Sequence, residues 1–154
     1  MQGNARIIEK LNVLLADELT AINMYMVQSE MCDNWGYERL HQAIERRAKE
    51  EMRHAEKLIA RILFLEGLPE VGRINVMKIG SNVEAMHRSD LEAETAAASM
   101  YNEGVRLAVE LADNGTRDLL ESILKDEEAH IDWLEAQRDQ IEQMGPENYL
   151  ANQV

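Results

Sequence analysis

Two four-residue stretches, Glu51-Met52-Arg53-His54 and Glu127-Glu128-Ala129-His130, decide the fold of this chain. Each is a Glu-x-x-His step. Residues three positions apart are neighbours on one face of a helix, so each step directs a carboxylate and an imidazole to the same point. A further glutamate stands 33 residues before each step, at Glu18 and at Glu94. One lone glutamate and one Glu-x-x-His step, present twice, is the ligand pattern of a di-metal carboxylate site in a four-helix bundle.

The two halves of the chain repeat one another with an offset of 76 residues. The offset relates Glu18 to Glu94, Glu51 to Glu127, His54 to His130, and Met24-Tyr25 to Met100-Tyr101. We therefore expect one set of ligands from each half of the chain to meet at a single centre.

Position along the helices separates these two steps from the rest, because all four histidines of the chain have a glutamate three residues earlier. In an antiparallel helix pair, two residues that lie opposite each other have sequence numbers with a nearly constant sum. The position of the turn determines that sum. Two glutamate pairs have their midpoints near predicted turns: Glu18 and Glu51 at Asn34-Trp35-Gly36, and Glu94 and Glu127 close to Asn114-Gly115. Both pairs are therefore expected in the middle of the bundle.

The other two Glu-x-x-His steps are Glu38/His41 and Glu84/His87. By the same rule they lie near helix ends, where no matching carboxylate stands opposite. We expect both steps on the solvated surface.

Hydrophobic periodicity predicts an all-α fold: a four-helix bundle with one long crossover and a short fifth helix, in a single domain over residues 1–154. Two prolines, eight glycines and few aromatic residues also favour helix over sheet. Ser81-Asn82-Val83-Glu84 has the pattern of a capping box at the start of the third helix. The helices are expected at about residues 5–33, 37–66, 82–113, 116–144 and 146–153.

The connection between the second and third helices, from Glu66 to Ser81, is too apolar for a free linker. Sixteen extended residues at roughly 3.3 Å each reach about 50 Å, which is enough to span the bundle. The first and third helices can therefore run in the same direction. We expect this crossover to pack along the bundle or against a neighbouring subunit.

The net charge of −13 and the pI near 4.7 argue against nucleic acid and anionic membranes as partners. The acidity suits attraction of cations, although solubility explains it equally well. Cys32 is the only cysteine, so an intrachain disulfide is impossible and a reducing compartment is favoured. The N-terminus leads directly into an amphipathic helix, and no run of 18 apolar residues occurs. We expect no signal peptide, no transmembrane span and a cytoplasmic location.

Four glutamates and two histidines buried together require metal, because an ionised group in a low-dielectric core costs about several kcal/mol. Four carboxylates neutralise two divalent cations, and oxygen-rich ligation with one nitrogen per ion suits Fe(II) or Mn(II). The predicted bridging ligands are Glu51 and Glu127. The predicted terminal ligands are Glu18 and His54 on one ion, and Glu94 and His130 on the other. The alternative is that these side chains are exposed on long helices, as most glutamates are.

Three large side chains near these ligands each have two interpretations. Tyr25 lies two turns beyond Glu18 on the same face. There it hydrogen-bonds a terminal ligand carboxylate or supplies an electron, or it packs in the core with an incidental hydrogen bond. Trp133 follows His130 by three residues and has the same ambiguity. Met52 points away from the bundle core, which indicates a subunit interface or a soft axial ligand for haem iron.

Over nearly its whole length the chain resembles the bacterioferritins. The matching stretches are Leu11-Asn12, Glu18-Leu19, Ala21-Ile22-Asn23, Asn34-Trp35-Gly36, Glu51-Met52-Arg53-His54-Ala55, Ile62-Leu63-Phe64-Leu65-Glu66-Gly67-Leu68-Pro69, Asp126-Glu127-Glu128-Ala129-His130-Ile131-Asp132-Trp133-Leu134-Glu135 and Asn148-Tyr149-Leu150. The resemblance implies a ferritin-like bundle whose two-fold dimers assemble into a hollow cage of twenty-four subunits. It also implies a ferroxidase centre with two irons on the six ligands, oxidation of Fe(II) by dioxygen or peroxide, and storage of ferric mineral inside the shell. A ferredoxin-like protein is the reductant expected to release the iron.

The resemblance also implies a haem site. In the bacterioferritins, the methionine that matches Met52 ligates haem b, and each subunit of a dimer contributes one such methionine. Leu19, Ile22 and Asn23 match residues of the haem pocket.

The chain departs from the family pattern at Glu45, Arg46 and Lys49. Glu45 and Lys49 stand where the family has aromatic and aliphatic haem lining. Arg46 and Glu50 match an inner-surface histidine and acid that family members use in iron transfer, and only Glu50 keeps the family's charge.

Three hypotheses of different classes follow. The first is a bacterioferritin that combines ferroxidase activity with iron storage. The second is a non-storage di-iron or di-manganese oxidase or peroxidase of the ferritin-like superfamily, which size-exclusion chromatography would distinguish as a small oligomer rather than a cage. The third is a structural or haem-binding helical subunit without a catalytic metal.

Overall fold

The computed structural model describes residues 1–154 and consists of helices and their connections. The helices are α1 (Ala5–Asn34), α2 (Glu38–Phe64), α3 (Val83–Glu110), α4 (Asn114–Met144) and the short α5 (Pro146–Ala151). Helix α1 packs against α2 and α3 against α4, while α1 also contacts α3. The predicted all-α four-helix bundle with a short fifth helix is confirmed. None of the helices combines the length and the apolar character needed to cross a membrane.

The turn between α3 and α4 lies earlier than the sequence suggested. Helix α3 ends at Glu110, and Ala112 has a left-handed φ of 55° that reverses the chain. Asp113 then caps α4 by accepting a hydrogen bond from the Thr116 amide at 3.0 Å, so Asn114-Gly115 opens α4 and does not break the chain. A Cβ at Gly115 would lie 2.7 Å from Nη2 of Arg61, so a larger residue there would displace the end of the Arg61 side chain.

The start of α3 also differs in detail from the predicted capping box. The residue that caps it is Asn82 and not Ser81, because the Asn82 side chain accepts a hydrogen bond from the Ala85 amide at 2.8 Å. A helix N-terminus leaves its first amides without partners, and this bond satisfies one of them.

Polar side chains of α1 fasten the crossover along the bundle. Asn12 accepts from the Glu70 amide at 2.9 Å and donates to the Leu68 carbonyl at 3.1 Å. Thr20 accepts from the Asn75 amide at 2.9 Å, and Gln28 donates to the Ile79 carbonyl at 2.8 Å. These three α1 residues are spaced by eight, so each is turned by about 80° from the one before and together they follow a stripe that winds along α1. The stripe supplies partners for the main chain of the crossover.

Two apolar clusters fill the bundle, and a layer of polar side chains separates them. One cluster contains Ile7, Leu11, Leu14, Leu15, Ala55, Leu58, Ile62, Leu65, Tyr101, Ala108, Leu120 and Ile123. The other contains Met24, Tyr25, Cys32, Leu40, Ile44, Val83, Met86, Ile141 and Tyr149. On every long helix, the predicted ligands stand between the residues of these two clusters. The apolar packing therefore brackets the metal-ligand candidates from both ends of the bundle.

Candidate metal centre

The six predicted ligands meet inside the bundle, and each long helix contributes to the cluster. None of their side chains is more than about 6% exposed to solvent. Helices α1 and α3 each supply one glutamate, while α2 and α4 each supply a Glu-x-x-His step. The members are Glu18, Glu51, His54, Glu94, Glu127 and His130.

The cluster divides into two groups that share two glutamates. One group is Glu18, Glu51, His54 and Glu127, and the other is Glu51, Glu94, Glu127 and His130. Within each group, the candidate ligand atoms lie within 4.8 Å of one another. Two overlapping sets of four ligands are what a pair of neighbouring ions requires.

The shared glutamates direct one oxygen to each histidine. Glu51 Oε2 lies 3.0 Å from Nδ1 of His54, and Glu51 Oε1 lies 3.1 Å from Nδ1 of His130. Glu127 Oε1 lies 3.1 Å from Nδ1 of His54, and its Oε2 lies 3.7 Å from Nδ1 of His130. This is the arrangement of two bridging carboxylates.

The unshared glutamates each accompany one histidine. Glu18 Oε1 lies 3.6 Å from Nδ1 of His54, and Glu94 Oε1 lies 3.5 Å from Nδ1 of His130. The two imidazole rings are stacked, with their centroids 6.4 Å apart. Each histidine with its own glutamate therefore occupies one end of the cluster, as a terminal pair on one ion would.

Several buried atoms of the cluster have no hydrogen-bond partner, although other polar atoms are close. They are Glu51 Oε1, Glu94 Oε2, Glu127 Oε1 and His130 Nδ1. Glu51 Oε1 and His130 Nδ1 are 3.1 Å apart without hydrogen-bond geometry. Buried polar atoms of native proteins are normally paired, so these atoms lack a partner that a cation would provide. Four carboxylate and two imidazole ligands fit two divalent ions of the iron or manganese type.

Burial and mutual charge control the protonation of the metal-free cluster. Burial, together with the charge of Glu51, raises the pKa of Glu18 well above its ordinary value, and burial raises that of Glu94 to about 7. Burial lowers the pKa of both imidazoles, but the surrounding carboxylates outweigh it and raise the pKa of each. Protons therefore balance the buried carboxylates when no cation is present, and cation binding must release them.

Tyrosines and carboxylates support the ligands from outside the cluster. Tyr25 donates a hydrogen bond to Glu94 Oε1, and Tyr101 donates one to Glu18 Oε1. The outer nitrogens of the two histidines contact carboxylates of Glu50 and Asp126. Tyr101 and Asp126 were not predicted as site residues. The 76-residue repeat was the available signal, since it relates Tyr25 to Tyr101 and Glu50 to Asp126.

A cavity of about 250 Å³ leads from the protein surface to the four glutamates. Its outer part lies among residues 75–78 of the crossover, and its wall includes Lys78 and Glu92. Asp17 also lines it, where burial and then the charges of Glu127 and Glu94 raise the pKa of the Asp17 carboxyl to about 7. The lining is rich in carboxylates, and neither ligand histidine takes part in it.

The expected surface position of His87 is wrong. The side chain is 3% exposed, and its Nε2 donates to the Tyr149 hydroxyl at 3.0 Å, because that hydroxyl donates in turn to Gln137 at 2.7 Å. Helix α5 folds back and brings Tyr149 over the end of the bundle. The Trp133 ring packs edge-on against His87 at 5.5 Å and lies under the Arg47 guanidinium at 4.8 Å.

Met52 lies on the outer face of α2, with 47% of its surface exposed. Leu19, Ile22 and Asn23, the other predicted haem-pocket residues, are half-buried on α1. Lys49 lies one turn before Met52 and Glu45 two turns before it, and these two side chains form an ion pair at 3.5 Å. The thioether is thus a free surface group bordered by one ion pair.

Comparison with known proteins agrees with this fold and cluster. A family model described as the ferritin-like domain matches residues 8–144, so the chain has a ferritin-like domain. It is 39% identical to a bacterioferritin of Brucella melitensis over 149 residues, 97% of this chain and 92% of that protein. It is 40% identical to a bacterioferritin of Mycobacterium tuberculosis over 154 residues, 100% of this chain and 97% of that protein. The chain belongs to the bacterioferritin family, as the sequence resemblance predicted.

The buried carboxyl of Asp90 is expected to make the stability of the protein depend on pH. This carboxyl is buried on α3, where its Oδ1 accepts a hydrogen bond from Gln28 at 2.8 Å, and burial raises its pKa to about 7. Between about pH 4 and pH 7 the folded protein keeps a proton that the unfolded chain has released. Stability from this group is therefore lost as the pH rises through that window.

We expect Asp90→Asn, which keeps the acceptor for Gln28, to remove this loss. From about pH 5 to about pH 8, the difference in stability between the variant and the wild type should grow by roughly 2 kcal/mol in favour of the variant. The reason is that the variant has no buried carboxyl to ionise. Thermal unfolding of the metal-free protein at both pH values measures the gain. Asp118→Asn, at an exposed position of α4, is the control. An equal gain for Asp90→Asn at both pH values would contradict the prediction.

Proposed function

We propose that this protein is an iron-storage protein with ferroxidase activity. It oxidises Fe(II) to Fe(III) at a two-iron centre within each subunit and keeps the ferric product inside a hollow cage. The observation that carries the proposal is the convergence of four glutamates and two histidines as two overlapping ligand sets in the core. Membership of the bacterioferritin family supports the storage function.

The chain's residues have distinct roles in this proposal. Glu51 and Glu127 bridge the two irons, because each turns one oxygen to either side of the cluster. The terminal ligands are Glu18 and His54 on one iron, and Glu94 and His130 on the other. Four carboxylates and two neutral imidazoles balance the charge of two ferrous ions, so the centre is neutral when filled. Bound iron supplies the electrons that reduce dioxygen or peroxide.

Tyr25 is proposed to act at the same centre. Its hydroxyl donates to Glu94, which fixes that carboxylate and couples the phenol to the ligand set. Burial, and then the charge of Glu94, raises the pKa of Tyr25 well above its ordinary value, so the phenol keeps its proton at neutral pH. A protonated phenol beside a ligand is positioned to give up an electron and a proton together.

The cavity above the glutamates is the proposed route for incoming Fe(II). It reaches Glu18, Glu51, Glu94 and Glu127 directly and carries Asp17 and Glu92 on its wall. The chain as a whole has a net charge of −13, which attracts cations to the surface. An incoming ferrous ion would therefore find two further carboxylates, those of Asp17 and Glu92, on the cavity wall beside the four glutamates.

The protein assembles with copies of itself, as its family does, and we propose two-fold dimers in a cage of twenty-four subunits. Large apolar side chains on the crossover support burial between subunits: Val71 is 59% exposed, Ile74 45% and Val76 98%. Exposed apolar residues grouped in one segment mark an interaction surface. A cytoplasmic location and a ferredoxin-like reductant for iron release complete the proposal.

We also propose that Met52 ligates haem b shared between two subunits, with Leu19, Ile22 and Asn23 in the pocket. An exposed thioether on a helix face suits one axial ligand, and a second copy would supply the other. The Glu45–Lys49 pair beside it gives the site a more polar border than a wholly apolar pocket would have.

Replacing the haem ligand tests this part of the proposal. The protein purified with haem should show the visible spectrum of a low-spin haem, and Met52→Leu should abolish it because leucine offers no sulfur. Met144→Leu, at an exposed methionine of α4, is the control and should keep the spectrum. A low-spin spectrum that survives Met52→Leu would exclude Met52 as the ligand.

Replacing one terminal glutamate tests the ferroxidase centre. On mixing with Fe(II) in air, we expect Glu18→Ala to slow the appearance of ferric absorbance by at least about tenfold, because one ion loses its only terminal carboxylate. Glu38→Ala is the matched control, since Glu38 belongs to another Glu-x-x-His step but is exposed and bonds only Gln42. Equal rates for Glu18→Ala and the wild type would show that the site is assigned wrongly.

A further inference from the structure

Each ligand imidazole is held at its outer nitrogen by a carboxylate from the opposite helix. His54 on α2 contacts Asp126 Oδ2 on α4 through Nε2 at 2.9 Å. His130 on α4 contacts Glu50 Oε2 on α2 through Nε2 at 2.6 Å. The two contacts are reciprocal, and each holding carboxylate immediately precedes a bridging glutamate in the sequence.

A carboxylate restricts which nitrogen of the imidazole carries the proton. An ionised carboxylate only accepts hydrogen bonds, so the proton of the neutral ring resides on Nε2. The lone pair is then on Nδ1, the nitrogen that faces Glu51 and Glu127 at 3.0–3.7 Å. The contacts at Nε2 thus prepare Nδ1 to bind a cation and also fix the orientation of each ring.

The holding carboxylates lie apart from the proposed entry route. The cavity reaches all four ligand glutamates, but Glu50, Asp126 and the two histidines are absent from its lining. Glu50 and Asp126 are themselves 45% and 52% exposed. Substitutions at these two positions therefore leave the cavity wall intact, so a change in cation affinity at the centre would not come from an altered entry route.

We propose that Glu50 and Asp126 are positioning residues, each of which sets the affinity of one of the two ions. Asp126 acts through His54 on the ion that Glu18 also binds. Glu50 acts through His130 on the ion that Glu94 also binds. This assignment rests on the proposed two-metal centre and adds a crosswise dependence, since each ion relies on a carboxylate of the helix opposite its histidine.

Co(II) binding to the assembled protein tests the proposal without involving oxidation. The amide variants Asp126→Asn and Glu50→Gln keep the shape of the side chain, but an amide donates as well as accepts and carries no charge. Each variant should retain one Co(II) per subunit at wild-type affinity and bind the other about 10–100-fold more weakly. Glu128→Gln removes the same charge at an exposed neighbouring position and should leave both affinities unchanged.

The same two substitutions made in a Glu94→Ala variant identify which of the two Co(II) sites each of them weakens. In Glu94→Ala, the remaining Co(II) belongs to the His54 side, so Asp126→Asn should weaken its binding about 10–100-fold and Glu50→Gln should not. Equal weakening of both ions would mean a general charge effect and would overturn the proposal, as would unchanged binding in both amide variants. The alanine variants at Glu50 and Asp126 give the same test if an amide variant fails to assemble. Failure of the wild type to bind two Co(II) per subunit would instead contradict the two-metal centre itself.

Discussion

Four carboxylates meeting in the middle of an apolar bundle is the constraint on which the rest of this structure depends. Ionised groups in such a core cost about several kcal/mol each unless opposite charge accompanies them. Protons and raised pKa values meet that requirement in the metal-free protein, and two divalent cations meet it when the site is filled. The two apolar clusters on either side explain how the fold tolerates the polar layer, because packing above and below it holds all four helices in register.

The internal repeat gives this layer an approximate two-fold symmetry in which each half of the chain supports the ligands of the other. Tyr25 of the first half bonds Glu94 of the second, and Tyr101 bonds Glu18 in return. The contacts of the histidines to Glu50 and Asp126 cross between the halves in the same way. Because both terminal glutamates and both histidines are held by residues from the other half, the geometry of these four ligands is built before any cation arrives. Preorganisation of this kind favours tight binding of two ions.

Much of the fold and of the candidate centre could be predicted because helices convert sequence spacing into position. The three-residue step and the pairing of equal heights were sufficient to bring Glu18, Glu51 and their counterparts together. The same rule failed for His87, because it considers only the long helix pairs, whereas the short helix α5 covers that histidine with Tyr149. The turn before α4 was also misplaced, since an alanine in the left-handed region, Ala112, has no distinctive sequence signal. The path of the crossover depends on side chains of α1, such as Asn12, whose partners are main-chain atoms and leave no mark in the sequence.

The most direct test of the two-metal centre is an anomalous-scattering map from crystals of the protein loaded with Fe(II) or Mn(II). Two peaks per subunit are expected, about 3.5–4 Å apart, with Glu51 and Glu127 between them and one histidine on each. A single peak, or peaks that leave the six buried side chains without a metal, would contradict the centre.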